Sequence, residues 1–160
     1  MEIKKISSLT ESECRRLLTE NYTCCLAFKG DTHPFVAPLL YSFDGLHLFF
    51  LATRYGRKIE LFYADPHVMV EVEEKSRDLS VFNLVTLAGC LTEVKDPHEN
   101  QVVRNRFVRL FTEKNISSNF LVALGHSPED TPQILEQSEH ILVWKLVDIV
   151  EMRGLGRERT

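Results

Sequence analysis

Phe49-Phe50-Leu51-Ala52-Thr53-Arg54-Tyr55-Gly56-Arg57-Lys58 is the stretch from which the rest of the chain can be organised. Phe49 to Ala52 is apolar without a break, as a strand covered on both faces requires. Thr53 to Gly56 interrupts it. Arg57 to Tyr63 then reads as a short helix with Ile59, Leu61 and Phe62 as its apolar positions, and Asp65-Pro66 ends it. A helix start offers unpaired backbone N–H groups and the positive end of a dipole. Arg57 and Lys58 add two full positive charges at that point. Basic residues in a first helical turn oppose the dipole by roughly 0.3–1 kcal/mol each, so they suit the position when an anion sits there. A phosphate reverses the sign of the effect and collects charge-assisted hydrogen bonds, with the Thr53 hydroxyl as a further donor. The competing reading is a solvated basic turn that pairs with Glu60 or Asp65. The pattern alone names no ligand.

Upstream, Thr10-Glu11-Ser12-Glu13 is a capping box, and Cys14, Leu17 and Leu18 follow at helical spacing, which predicts a helix from about Glu11 to Glu20. The period then changes to two. Tyr22 to Lys29 reads as a strand, Gly30-Asp31 as a turn, and Phe35 to Phe43 as a second strand whose Pro38 predicts an edge or a bulge. Asp44-Gly45 is a hairpin signal leading into the third strand, Leu46 to Ala52. Downstream, Val68 to Glu73 alternates as a fourth strand, and Leu79 to Val94 is a long fifth with a bend expected at Gly89. Asp96-Pro97-His98-Glu99 opens a helix that lines up Val103, Phe107, Leu110 and Phe111. Asn119 to Leu124 reads as a helical turn or two with Gly125 as C-cap, 126–138 as a loop, and His140 to Met152 as a last strand, apolar on both faces. Six closely spaced strands with helices around them predict a mainly β fold, a six-stranded barrel forming a single domain over residues 1–160. The third and sixth strands need cover on their outer faces, from helices or from a second copy of the chain.

Composition narrows the function classes. Of 160 residues, 44% are hydrophobic and 26% charged, ordinary values for a globular domain. A net charge of −4 argues against a nucleic-acid partner. The four cysteines form no CxxC pair and the six histidines are not grouped with them, so neither a zinc site nor a disulfide framework is expected. Met1–Glu20 has no apolar core of a leader and no apolar run approaches 18 residues, which leads to the expectation of a cytoplasmic protein without membrane contact.

Several markers lie in one order: Leu9-Thr10-x-x-Glu13-Cys14, then His33-Pro34-Phe35-Val36-Ala37-Pro38 before Tyr41, then Gly56-Arg57-Lys58 followed by Asp65-Pro66-x-Val68, then Gly89. Together they resemble the pyridoxamine 5′-phosphate oxidase-like FMN-binding split-barrel family, in particular its small nitroimidazole-resistance-related members. The likeness runs from Leu9 to about Gly154. It implies a homodimer with FMN at the subunit interface. It implies that Ala37, Pro38, Leu39, Leu40 and Tyr41 run along the flavin, that Ala52 and Thr53 end the third strand beside it, and that Gly56, Arg57 and Lys58 hold the phosphate. Asn83 is a further polar candidate near the ring.

The chain also departs from that pattern. Pyridoxamine oxidases proper carry a basic residue near Ala37, Thr where Ala52 stands and Ser where Gly56 stands, and their basic C-terminal motif has no counterpart in Met152–Thr160. Oxidation of pyridoxamine phosphate is therefore not expected. Leu51 replaces a histidine of many nitroimidazole-resistance-type proteins. The expectation is an FMN-dependent oxidoreductase acting on an unidentified small molecule, with no acid or base assigned. The alternatives are a non-catalytic flavin-binding protein, a barrel that has lost its cofactor and serves as a dimeric interaction module and, because some split-barrel relatives bind haem, a haem-binding protein. Trp144 reads as a core or interface aromatic and Cys90 as an inert thiol.

Overall fold

Thr10 starts the first helix as its residue types require. Its hydroxyl accepts the Glu13 amide at 3.2 Å, and the Glu13 carboxylate receives the Thr10 amide in return. The computed structural model describes residues 1–157, so the last three positions of the predicted domain lie outside the described residues. The elements are α1 (Glu11–Glu20), β1 (Thr23–Phe28), β2 (Phe35–Phe43), β3 (Leu48–Thr53), α2 (Arg57–Ala64), β4 (His67–Lys75), β5 (Phe82–Glu93), α3 (Pro97–Glu113) and β6 (Ile141–Leu155), with 3-10 turns at Ser118–Leu124 and Pro132–Glu136. The six strands close into an antiparallel barrel in the order β1-β2-β3-β6-β5-β4. The predicted six-stranded β fold with flanking helices is the one that forms. No described helix is long and apolar enough to cross a membrane.

Strand alternation sorts the apolar residues into two layers. Leu26, Phe28, Ala37, Leu39, Tyr41, Phe50, Ala52, Val70, Val85, Leu87 and Trp144 fill the barrel, closed by Cys14, Leu17 and Leu18 of α1 and by Ile59 and Leu61 of α2. Leu40, Phe49, Leu51, Ile141 and Val143 point outward and are covered by Val103, Phe107, Val108 and Phe111 of α3 and by Leu121, Leu124 and Leu135 of the two turns. The two-sided apolarity of β3 and β6 is thus answered within one chain. The ring of Trp144 is fully buried and meets Phe28 at 6.0 Å and Phe62 of α2 at 5.1 Å.

Most element ends lie within one or two residues of the sequence reading, and three differences go further. β5 begins at Phe82 rather than Leu79, because the Asp78 carboxylate accepts the Ser76 hydroxyl at 2.9 Å and the Ser80 amide at 3.1 Å, turning the chain with Leu79 at φ +60°. β6 continues to Leu155, where it pairs with Leu84. The stretch read as a plain loop contains the turn Pro132–Glu136, fixed by a fully buried Leu135 and by Arg104. The Arg104 guanidinium donates to the carbonyls of Leu135, Ser138 and Ile141 at 2.8–2.9 Å and to the Asn100 side chain at 2.7 Å, which ties this stretch to α3. The bend expected at Gly89 is present as a register shift between Ala88 and Cys90. A Cβ at Gly89 would lie 2.7 Å from the Val147 carbonyl oxygen.

Candidate functional site

β2 changes partners along its length. Phe35–Leu40 pair with β1, whereas Tyr41–Phe43 pair with β3. On the other side of the seam, Leu51–Thr53 of β3 pair with β6. Among the described residues no ladder joins 36–40 to 51–53, so the barrel wall is split there. Pro38, which has no N–H to give, stands on this seam and satisfies the expectation of an edge.

A cavity of about 30 Å3 lies in the split. Six residues singled out from sequence line it: Pro38, Leu39, Leu40, Ala52, Thr53 and Lys58. Gly56 and Arg57 stand next to it at the start of α2. Ala37 and Tyr41 take the inward phase of β2; Tyr41 is buried and its hydroxyl donates to the Leu18 carbonyl at 2.8 Å. Their side chains belong to the barrel core. Asn83 lies at the start of β5, fully buried, where its amide donates to Glu74 at 3.4 Å and its oxygen accepts the Arg157 amide. It does not line the cleft within one chain.

The α2 start has the features of an anion cradle. Gly56 is the N-cap with φ +98°, a backbone state that other residues adopt only under strain, and no side chain caps the helix. Neither Arg57 nor Lys58 has a carboxylate within ion-pair distance among the described residues. Asp65, one of the two partners that a plain basic turn would use, is taken by Lys29 at 3.3 Å and His67 at 2.7 Å. Lys58 is half-buried, and burial alone pushes its pKa below the ordinary lysine value. A cation desolvated without a countercharge is the arrangement an incoming anion relieves. Thr53 departs from its expected part. Its hydroxyl donates to the Tyr55 carbonyl at 2.8 Å, closing the loop instead of pointing a donor outward.

The remaining lining residues were not assigned to the site from sequence: Leu51, Phe107 of α3, and Phe120, Ala123 and Leu124 of the 3-10 turn. Their periodicity marks them as core, and only the return of the chain after α3 brings them to the seam. The turn ends at Gly125, where φ is +83° and a Cβ would lie 2.6 Å from the Tyr55 hydroxyl. Tyr55 therefore rests directly on that glycine.

A family model described as pyridoxamine 5′-phosphate oxidase matches residues 10–136. No curated protein matches the sequence. Among solved structures, an FAD-binding protein from Mesorhizobium loti is similar at 22% identity and a TM-score of 0.70, over 96% of this chain and 99% of that one. A candidate 5-nitroimidazole antibiotic resistance protein from Bacteroides thetaiotaomicron is similar at 13% identity and 0.64, over 94% and 86%. A haem storage protein from Vibrio cholerae is similar at 16% and 0.64, over 89% and 92%. At these identities the likeness shows a shared fold.

Proposed function

The chain belongs to the pyridoxamine 5′-phosphate oxidase family, and from that premise we propose that it binds FMN in the split between β2 and β3 and works as an FMN-dependent oxidoreductase on a small molecule. The observation that carries the reading is Lys58. It is a half-buried cation without a carboxylate partner among the described residues, and it lines the same cavity as Pro38, Leu39, Leu40, Ala52 and Thr53. In this reading Gly56, Arg57 and Lys58 receive the phosphate at the positive end of α2, and the flavin lies along the backbone of 37–41 and the end of β3. Only Pro38 and Leu40 among those five turn side chains outward, and the backbone groups of the unpaired edge supply the polar contacts. The flavin, when bound, supplies hydride or electron transfer. The chain's part is to fix the ring, neutralise the phosphate and keep water from the apolar seam. The name of the Mesorhizobium loti relative supports a flavin more broadly than FMN, and the α2 cradle has charge for one phosphate group.

A homodimer belongs to the same proposal. Val36, Ala27, Met69 and Ala88 are successive cross-strand neighbours on the outer face of β2, β1, β4 and β5, and Val36 and Met69 are exposed. A groove of about 690 Å3 runs along this stripe, with Met69, Ala88 and Val150 in its lining. Val36 shares the outward phase of β2 with Pro38, so a second copy seated on the stripe would border the split.

The absorbance spectrum of purified protein after incubation with FMN and removal of the excess tests the reading. Retained flavin bands that bleach anaerobically with NAD(P)H are the expected result. A colourless protein refutes flavin binding, a haem Soret band in protein as purified replaces it with the haem alternative, and flavin bands that never bleach with any donor leave a non-catalytic flavin carrier.

A further inference from the structure

The split as it stands holds about 30 Å3, room for roughly one water, whereas sites for drug-sized ligands span about 300–1,000 Å3. Phe120, Ala123 and Leu124 of the chain's own cover belong to the wall of this space. The segment that carries them is bounded by two left-handed residues, Asn115 at φ +51° and Gly125 at φ +83°. The Phe120 amide on the Ser117 carbonyl at 3.0 Å is internal and travels with the segment, and the Gly125 amide reaches the Val122 carbonyl at 3.1 Å from the segment's own end. The His126 amide on the Leu121 carbonyl at 3.0 Å crosses that end, so an outward swing of the segment breaks this one bond. Its backbone tie to α3 is the Ile116 amide on the Phe111 carbonyl, at the Asn115 end. At the other end the His126 ring meets the Ser138 hydroxyl at 2.7 Å, and Tyr55 rests on Gly125. Tyr55 is the residue before Gly56-Arg57-Lys58.

Resting on the flavin reading above, we infer that residues 116–124 form a gate over the cofactor cleft, hinged at Asn115 and Gly125. The gate swings outward to admit the ring, and Phe120 and Leu124 then border the bound flavin as contacts from the same chain. Movement of a few terminal dihedrals around an intact unit is how hinged covers work. Tyr55 links the two halves of the site: an anion drawn onto 56–58 shifts the loop that bears on the Gly125 hinge. Because the closed form excludes the ring, ligand-free protein takes up FMN only through its open fraction, which slows association and weakens apparent affinity.

A reversible lock tests this. Pro38→Cys and Ala123→Cys, introduced together in a Cys25→Ser background, place thiols on opposite walls of the cleft; Cys25 is removed because it is the cross-strand partner of Pro38. FMN association is followed by stopped-flow quenching of flavin fluorescence. The oxidised form should associate about 100-fold more slowly than the same protein after dithiothreitol. As an independent variant, Leu124→Ala should associate about tenfold faster than wild type by weakening the closed form. Equal rates for the oxidised and reduced forms overturn the gate, as does a Leu124→Ala rate no faster than wild type should the double variant fail to fold. Wild-type protein that takes up no FMN at all refutes the flavin reading and the gate with it. FMN binding that ignores the lock removes the gate and leaves the flavin reading standing.

Discussion

Replacing Lys58 by Met separates what this cation does to the ligand-free fold from what it does for binding. In the ligand-free protein the ammonium is half-buried, has no carboxylate to answer it among the described residues, and is held below its ordinary pKa of 10.5 by burial. Met keeps most of the bulk and drops the charge. Ligand-free stability should therefore rise slightly, by about 0.5 kcal/mol, or about 1–2 °C in Tm for a chain of this length. Binding should move the other way. A charge-assisted hydrogen bond to phosphate contributes about 1.5–3 kcal/mol, and at about 1.4 kcal/mol per tenfold its loss raises the Kd for FMN roughly 10- to 150-fold. Arg57 is exposed, so Arg57→Ala should cost only about 0.2–1 kcal/mol, and the double variant about 2–4 kcal/mol, close to the sum of the two. Fluorescence-quench titration with FMN gives the affinities, and thermal melts without ligand give the stabilities. The sign with pH follows from the depressed pKa. Between the folded value and 10.5 the unfolded chain binds more protons than the folded one, so this group's contribution to stability rises with pH through that window. Lys58→Met should abolish that rise. An unchanged Kd in Lys58→Met, or a lower ligand-free Tm, refutes the argument that Lys58 waits for an anion.

Two further outcomes bear on the fold. Arg104→Met leaves the buried carbonyls of Leu135, Ser138 and Ile141 without their shared donor; urea unfolding should show a loss of about 3 kcal/mol, and a loss below about 1 kcal/mol would mean water replaces the guanidinium at little cost. Asp65 is held at a pKa of about 2, first by the His67 amide and then by the His67 ring; its stabilising effect is complete above its ordinary value of 3.8 and lost as pH falls towards 2, so Asp65→Asn should flatten the acid limb of a stability–pH curve over that interval, and parallel limbs for the two proteins contradict it.

What could be read from the sequence was whatever local chemistry decides. The capping box at Thr10, the Asp96 cap of α3 and the glycine at the bulge each act within a few residues, and all three are where the residue types place them. The candidate site was legible in part, because the loop from Thr53 to Lys58 is contiguous in the chain. Two things were not legible. The phase of β2 assigns Ala37 and Tyr41 to the barrel core, and a run of five consecutive residues hides that alternation until the barrel closes. The cover from Phe120 to Leu124 reaches the seam through α3, so its role depends on where a 17-residue helix points rather than on any local pattern. Arg104 escaped notice for the same reason: one of three arginines on an amphipathic helix looks solvated until the strand behind it is in place.

The contact between Phe62 and Trp144 gives experimenters a reporter. α2 carries Arg57 and Lys58 at one end and Phe62 further along, and that ring leans on the chain's one tryptophan. Any tilt of the helix on docking a charged headgroup alters the surroundings of a single indole, so intrinsic emission can follow occupancy without a label, in the native sequence, and separately from the flavin's own light.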